Sequence, residues 1–438
     1  MRRMSRRAFT LTGLTTLATA HTAAAAPLEP GQASPQDPHG PHGPQDPLGS
    51  RAPHPPRRGT TQMRGVWIAA VGNRDWPSRP GLGATAQRKE LTALLDRAVR
   101  DRLNTVILQV RPTADALWPS PYEPWSECLT GTQGRSPGWD PLGTAVREAH
   151  ARGLRLHAWF NPYRIANHAD PGRLAPAHPA RKHPDWVVTY GGKLYYDPGL
   201  PEVRAFVQRA MLDAVARYPV DAVHFDDYFY PYPVAGQTFD DDAAYDRYGG
   251  AFATRAAWRR DNIDRLVREM AAGIRKTRPG TRFGISPFGV WRNAATDARG
   301  SDTRAGVQTY DDLHADTRKW VREHWIDYIV PQLYWSAHPL DQQVPANYAV
   351  LLPWWAEVAR GSRTQLYIGE ALYKAGDPAR PAEWQDPAEL SRHLTLAKGH
   401  PEVRGHVFFA AKEVAVDRIG AMARVVADHY QRPARAPR

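Results

Sequence analysis

Cysteine is almost absent from this chain of 438 residues, in which Cys128 is the single example. One thiol excludes an internal disulfide framework and any zinc site built from several cysteines. Long apolar segments are absent too, because no stretch approaches the roughly 20 apolar residues that a membrane-spanning helix needs. The sequence also has no extended run of lysine and arginine, which argues against a dedicated nucleic-acid-binding protein.

The rest of the composition is typical of a globular protein. Hydrophobic residues make up 42% of the chain and charged residues 23%, which is enough for a sizeable core. The formal net charge is +12. Much of it comes from arginines near the two termini, namely Arg2, Arg3, Arg6, Arg7, Arg432, Arg435 and Arg438. The body between them is only mildly basic, which is compatible with an acidic polymer such as a bacterial cell wall as a partner.

The first 26 residues have the pattern of an export signal. Residues 5–9 (SRRAF) resemble the twin-arginine motif, a moderately apolar stretch follows, and residues 23–26 supply a small-residue cleavage site. Residues 27–62 are rich in proline and glycine and have little to bury, which predicts a disordered linker. We therefore expect a secreted or cell-wall-associated protein whose folded body spans 63–430, with a basic tail over 431–438.

From residue 63 onwards, apolar runs rich in β-branched and aromatic residues alternate with helical patterns. The runs that predict buried strands cover 63–71, 104–111, 155–162, 222–229, 282–289, 326–335, 365–373 and 405–413. The helical patterns cover 87–101, 141–152, 201–218, 252–276, 311–324, 346–360, 387–398 and 417–430. Eight strand–helix units in sequence predict an α/β fold, the (β/α)8 or TIM barrel.

The lengths of the connecting segments orient this predicted barrel. Links from helix to strand are short, whereas the links over 112–140, 163–200 and 230–251 run from strand to helix and are long. Extra length therefore lies at the C-terminal ends of the strands, which is the face where such barrels carry their active sites. This asymmetry favours an enzyme over a structural scaffold, and we predict no second domain.

The fourth predicted strand is the richest in candidate catalytic groups, because it runs into the segment HFDDYFYP (224–231). Strand alternation places His224 and Asp226 on one face, so we expect Asp226 in the barrel mouth and His224 one layer below. Asp227 is expected where the strand gives way to the loop. Adjacent carboxylates followed by aromatic rings suit carbohydrate chemistry, although the two aspartates could instead only cap the following turn.

Ordinary glycoside hydrolysis requires two carboxyl groups, one as nucleophile or base and one as acid. We predict that Asp226 is the nucleophile or charge stabiliser. The candidates for the acid are Asp227, Glu370 and Asp115, in that order of preference.

Polar and aromatic side chains at the other strand ends complete the predicted site. The chain has 15 tryptophans and 18 tyrosines, and many follow strands, which indicates a sugar-binding cleft. The predicted substrate-binding residues are Gln109, Arg111, Asp115, His157, Trp159, Asn161, Tyr163, His224, Tyr228, Trp291, Gln332, Tyr334 and Trp335. The alternative for the buried polar members is that they are satisfied core groups.

Six segments carry a family resemblance. They are 63–70 (MRGVWIAA), 104–111 (NTVILQVR), 157–164 (HAWFNPYR), 224–231 (HFDDYFYP), 284–293 (GISPFGVWRN) and 327–335 (DYIVPQLYW). In order on consecutive predicted strands, they resemble the bacterial glycosyl-hydrolase-like family ten, formerly a domain of unknown function, over about residues 62–430. The resemblance implies a glycosidase-type (β/α)8 barrel with Asp226 and Asp227 in the active site. One member of that family is similar to an enzyme that cuts peptidoglycan strands stripped of their stem peptides, so the resemblance implies such strands as the substrate.

Two other functions fit the same barrel. The first is a metal-dependent hydrolase or deacetylase with His157, His224, Asp226 and Asp227 as ligands. Such barrels often begin with an H-x-H pair on strand one, and here that strand reads VWIAA. The second is a non-catalytic carbohydrate-binding barrel. Our prediction is a glycoside hydrolase with no cofactor or metal, acting on a polysaccharide.

Overall fold

The structure is a computed structural model that describes residues 60–338 and 345–437. The predicted export signal (1–26) and nearly all of the predicted linker (27–62) lie outside the described residues. Among the residues that are described, no helix is both long enough and apolar enough to cross a bilayer.

Eleven strands are present in the described part of the chain. In order they are β1 (Met63–Ile68), β2 (Thr105–Arg111), β3 (Arg155–Phe160), β4 (Arg164–Ala166), β5 (Val187–Tyr190), β6 (Lys193–Tyr196), β7 (Ala222–Phe225), β8 (Arg282–Ile285), β9 (Tyr328–Ile329), β10 (Gln365–Glu370) and β11 (Val403–Phe408). Eight of them form a closed parallel barrel in the order β1-β11-β10-β9-β8-β7-β3-β2. The remaining three form a small antiparallel sheet, β4-β6-β5.

Twelve α-helices accompany these strands in the same described ranges. They are α1 (Ala84–Arg100), α2 (Glu127–Thr130), α3 (Pro141–Ala151), α4 (Pro179–Lys182), α5 (Pro201–Arg217), α6 (Asp242–Tyr248), α7 (Arg255–Thr277), α8 (Thr317–Arg322), α9 (Tyr348–Ala359), α10 (Glu389–Ala397), α11 (Ala411–Val416) and α12 (Ala421–His429). The short helices α2, α4 and α6 lie in the long connections that follow barrel strands.

Alternation along the strands separates two apolar layers. In β1, Met63 and Trp67 belong to a compact cluster that also includes Tyr328 of β9, whereas Val66 and Ile68 belong to the larger cluster shared with the helices. Successive strand residues point to opposite faces, so the first cluster fills the barrel and the second covers it. Every residue of β1 and β2 is buried, as expected for a parallel sheet that is covered on both faces.

The (β/α)8 prediction is confirmed, and the main differences concern where the elements end. The predicted strand 222–229 stops at Phe225, and the predicted strand 326–335 shrinks to Tyr328–Ile329. Pro287 and Pro331, which follow β8 and β9, have no N–H group to continue a ladder. The predicted helix 311–324 begins only at Thr317, because the Asp316 side chain caps that turn by accepting from the Lys319 N–H.

The long connection between β3 and α5 contains structure that we had predicted as loop. It holds β4, β5 and β6 together with α4. The small sheet places Arg164 beside the mouth of the barrel, as described below. Cys128, the single cysteine, is a buried free thiol in α2.

Candidate active site

A cavity of about 220 Å³ opens at the C-terminal ends of the barrel strands. The predicted site residues that line it are Gln109, Trp159, Asp226, Asp227, Tyr228, Gln332 and Tyr334. The structure therefore brings together residues from four of the predicted strands. Its size matches a single sugar ring more closely than a large cofactor.

Asp226 and Asp227 both line this cavity, and they are the only carboxylates among its described lining residues. The exposed fractions are 5% for Asp226 and 9% for Asp227. The prediction placed Asp226 within the strand, whereas both aspartates lie beyond the end of β7 at Phe225. Beyond that residue the backbone leaves the ladder, so the period of two no longer applies.

A directed chain of hydrogen bonds leads from the backbone to Asp226. The N–H groups of Ala70 and Val71 both donate to Gln109 Oε1 at 2.9 Å. Gln109 Nε2 then donates to Asn161 Oδ1 at 2.7 Å, and Asn161 Nδ2 donates to Asp226 Oδ2. Because a backbone N–H can only donate, the orientation of both amides is determined. Asn161 does not line the cavity, but it presents a fixed N–H donor to the carboxylate.

The pKa of Asp226 is raised to about 7. Burial is the largest cause, and the neighbouring charge of Asp227 adds to it. The positive charge of Arg164, the Asn161 amide and the backbone N–H of Tyr228 act in the opposite direction. The N–H of Tyr228 donates to Asp226 Oδ1 at 3.2 Å, so both carboxylate oxygens accept hydrogen bonds from groups that only donate.

Burial also raises the pKa of Asp227. The Tyr232 hydroxyl, which donates to Asp227 Oδ2, acts in the opposite direction and lowers that pKa. Two carboxyl groups that face one buried space resist double ionisation, so the pair keeps a proton at a higher pH than either would alone. A carboxyl pair of this kind can supply both a negative charge and a proton near neutral pH.

Beneath the cavity, His224 and His157 form a buried polar chain instead of binding substrate. Trp67 Nε1 donates to His224 Nε2 at 3.1 Å. The Tyr328 hydroxyl lies 3.0 Å from His224 Nδ1 and 2.9 Å from His157 Nδ1. Because Trp67 can only donate, His224 carries its proton on Nδ1 and donates to Tyr328, which then donates to His157. Burial lowers the pKa of His224 to about 3 and that of His157 well below its ordinary value, so both rings are neutral.

Neither histidine lines the cavity, although both were predicted to bind substrate. Their role is to support the cavity floor through Trp67 and Ser286, both of which line it. The metal-dependent alternative needs His157, His224, Asp226 and Asp227 around one site, whereas only the two aspartates line the cavity. In the described ranges no group of three or more His, Cys, Asp or Glu side chains has a geometry that could hold a metal ion.

Glu370, one of the candidates for the general acid, does not line the cavity. It is fully buried, lies outside the cavity lining, and accepts from His393 Nδ1 and His406 Nδ1, each at 2.8 Å. The Tyr348 hydroxyl also donates to it at 3.0 Å. Burial alone would raise the pKa of Glu370, but the charge of His393 and the hydrogen bonds from both histidines outweigh it and lower the pKa to about 2. An ionised carboxylate without access to the cavity cannot protonate a leaving group.

Asp115 and Arg111 are likewise structural, although sequence reasoning placed both in the site. Asp115 is buried and accepts from Gln133 Nε2 and the Thr113 N–H, each at 3.3 Å. Its pKa is raised to about 7, chiefly by burial. Arg111 forms a buried ion pair with Glu123 at 2.5 Å. Neither side chain lines the cavity.

Three predicted aromatic residues also lie off the cavity. Tyr163 is buried in the core, and Trp291 Nε1 donates to Asp316 Oδ1 at 2.9 Å. Trp335 packs edge-on against Phe288 with ring centroids 5.4 Å apart.

Sequence reasoning missed five lining residues with informative side chains: Trp67, Arg74, Arg164, Ser286 and Phe409. Trp67, Ser286 and Phe409 lie on or directly after β1, β8 and β11, so a consistent survey of every strand end would have found them.

Comparisons with known proteins agree with this geometry. The family described as Glycosyl hydrolase-like 10 matches residues 62–386. Glycosyl hydrolase YngK of Bacillus subtilis (strain 168) is 49% identical over 378 residues, which cover 86% of this chain and 73% of that protein. Glycosyl hydrolase DigH of Escherichia coli (strain K12) is 42% identical over 383 residues, which cover 83% and 86%.

Among solved structures, the glycoside hydrolase domain of PgaB (BpsB) from Bordetella bronchiseptica is similar in fold. Its TM-score is 0.51 at 12% identity, with 84% of this chain and 99% of that chain covered. At that identity the comparison concerns the barrel alone.

The fold and the cavity define the class as a TIM-barrel protein of the glycoside-hydrolase type, with paired carboxylates at the C-terminal face of the barrel. The family match over most of the chain and the two relatives above make the assignment more specific. The chain belongs to the glycosyl hydrolase-like family ten, which confirms the resemblance seen in its six sequence segments.

Proposed function

We propose that this protein is a glycoside hydrolase that cleaves O-glycosidic bonds of a polysaccharide, with Asp226 and Asp227 as its catalytic pair. The observation that carries the proposal is that two buried carboxyl groups with raised pKa values face one sugar-sized cavity at the catalytic face of a barrel. Trp67, Trp159 and Tyr228 supply aromatic surface in the same cavity, which suits stacking against a sugar ring.

The hydrogen bonds support a division of roles between the two carboxyl groups. Asp226 accepts from the Asn161 amide and the Tyr228 N–H, and these two hydrogen bonds favour its ionised form against the opposing effect of burial. Asp226 would either stabilise the positive charge that develops at the anomeric carbon or attack that carbon as the nucleophile. Asp227 would then hold the proton of the pair and donate it to the leaving oxygen. The Asn161 amide and the Tyr228 N–H already donate to Asp226, so they need no reorganisation as the positive charge develops at the anomeric carbon.

The substrate we propose is peptidoglycan glycan from which the stem peptides have been removed. Its support is the family resemblance, the mildly basic body and the export pattern of residues 1–26. We further propose that this signal and the linker over 27–62 deliver the barrel to the wall outside the cell.

Mass spectrometry of the products tests the function and the substrate together. Purified protein is incubated with peptide-free and with peptide-bearing wall glycan, and the expected result is shortened glycan fragments from the peptide-free strands. Binding to the strands without fragments would favour the carbohydrate-binding barrel. Loss of acetyl groups from intact strands would favour the deacetylase.

The Tyr232→Phe variant tests the role of Asp227 as the acid. The Tyr232 hydroxyl favours the ionised form of Asp227, so its removal raises the pKa of that carboxyl further. We expect the basic limb of the pH profile of kcat/KM to move to higher pH, because the acid keeps its proton longer. Tyr122→Phe, at an exposed tyrosine away from the cavity, is the matched control. An unmoved basic limb, or one moved to lower pH, would count against Asp227.

A further inference from the structure

Two arginines line the cavity, and they differ in their burial and in the groups that hold them. The Nε and Nη2 atoms of Arg164 both donate to the Pro112 carbonyl, at 3.2 Å and 3.0 Å. The residue is only 6% exposed, and its guanidinium lies 5.0 Å from the ring centroid of Tyr228. Arg164 is therefore engaged in holding the rim of the barrel and in offsetting the charges of the aspartates.

Arg74 is held in place but remains open towards the cavity. Its guanidinium stacks on Phe409 at 4.7 Å from the ring centroid, and Nη2 donates to both carboxylate oxygens of Glu413 at 3.1 Å and 3.2 Å. Its side chain is 33% exposed. Within the ranges that the structure describes, Nη1 of Arg74 takes part in no hydrogen bond, so the cavity wall contains a guanidinium that Phe409 and Glu413 hold in place and that keeps an unbonded donor.

A neutral sugar would need only hydroxyl and amide partners, whereas this cavity offers a pre-positioned guanidinium. Arginine is the side chain best suited to bind a carboxylate, through a planar fork of N–H donors. The charges of Asp226 and Asp227 would repel an anionic ligand in this cavity. A cation in the cavity wall, such as Arg74, would offset that repulsion.

We propose that Arg74 binds a carboxylate carried by the sugar in the cavity, so that the substrate is an acidic polysaccharide. This inference rests on the proposed function and deepens it. Peptide-free wall glycan carries a free lactyl carboxylate on its muramic acid residues, and in peptide-bearing strands the same carbonyl is an amide. Recognition of the free carboxylate by Arg74 therefore selects stripped strands and rejects strands that still bear peptides.

The experiment compares two forms of one substrate. Peptide-free glycan strands are used as isolated, or after carbodiimide coupling with methylamine has converted their carboxylates to neutral amides. We expect the parent to show a kcat/KM about 10- to 100-fold higher on the acidic strands, the range for one charged hydrogen-bonded contact. Arg74→Gln should lose that advantage mainly through a higher KM on the acidic strands, so that its kcat/KM values on the acidic and the amidated strands become nearly equal.

Two further variants separate recognition from folding. Arg74→Lys keeps the charge but loses the fork, so we expect an intermediate preference for the acidic strands. Arg88→Gln is the matched control, because Arg88 also stacks on an aromatic ring, that of Trp139 at 4.9 Å, and lies away from the cavity. It should keep the full preference of the parent.

The outcomes distinguish this inference from the function on which it rests. If the parent cuts acidic and amidated strands equally, or if Arg74→Gln loses activity equally on both, the inference is overturned and the glycosidase proposal stands. If the parent cuts neither form, both are overturned. A preference for acidic strands that disappears only in the Arg74 variants supports carboxylate recognition.

Discussion

The Asp226→Asn variant is expected to lose about 10³-fold or more of the hydrolytic rate while remaining folded. Asparagine is nearly the same size as aspartate but carries no charge, so it cannot stabilise the positive charge at the anomeric carbon. Product analysis on peptide-free glycan, with thermal unfolding in parallel, measures the two effects separately.

Removal of this charge should not weaken the fold at neutral pH. The folded-state pKa of Asp226 is raised from 3.8 to about 7, so ionisation costs stability as the pH rises between those values. The Asn variant lacks that cost, and we expect its stability relative to the parent to improve from pH 4 towards pH 7. A variant that fails to fold at neutral pH would contradict this account of the site.

Asp115→Asn is the matched control for this experiment. Asp115 is also fully buried with a pKa raised to about 7, yet its side chain does not line the cavity. We expect it to keep near-parental turnover per folded molecule. Full activity in Asp226→Asn, or an equal loss in both variants, would contradict the proposal that Asp226 is the nucleophile or charge stabiliser.

Glu370→Gln is expected to have the opposite result: a large loss of stability with turnover per folded molecule retained. The substitution leaves the His393 imidazolium buried without its main counter-charge. Breaking a buried ion pair on one side costs about 3–5 kcal/mol of the free energy of unfolding. Urea denaturation measures it, and Glu402→Gln, which removes a partner of the exposed Arg360, should cost far less because solvent screens that pair.

The pH dependence of this difference has a definite sign. The pKa of Glu370 falls from 4.5 to about 2 in the folded protein, so its contribution is present above pH 4.5 and is lost as the pH falls towards 2. Burial opposes the charge on His393, but the charges and hydrogen bonds of Glu370 and Glu389 raise its pKa from 6.5. That contribution is present below pH 6.5 and is lost as the pH rises through the raised value. We therefore expect the largest gap between variant and parent at about pH 4.5–6.5. A loss of turnover that exceeds the loss of folded protein would return Glu370 to the candidates for the acid.

Sequence reasoning located the two carboxyl groups of the cavity but not the geometry around them. The motif HFDDYFYP at the end of the fourth barrel strand predicted both aspartates, and Gln109, Trp159, Gln332 and Tyr334 at other strand ends also line the cavity. The same reasoning failed for Glu370 and Arg111, which sit at strand ends with equally polar surroundings. Each is neutralised by a partner that sequence periodicity does not identify, His393 for Glu370 and Glu123 for Arg111.

The sequence by itself determined the order of the eight strand–helix units, the face with the long loops, and the family. These follow from local hydrophobic periodicity and from contiguous motifs. Only the tertiary structure decided which charged groups open to the cavity and which are paired inside the protein. The reason is that solvent access and counter-charges depend on contacts between segments far apart in the chain, such as the stacking of Arg74 on Phe409.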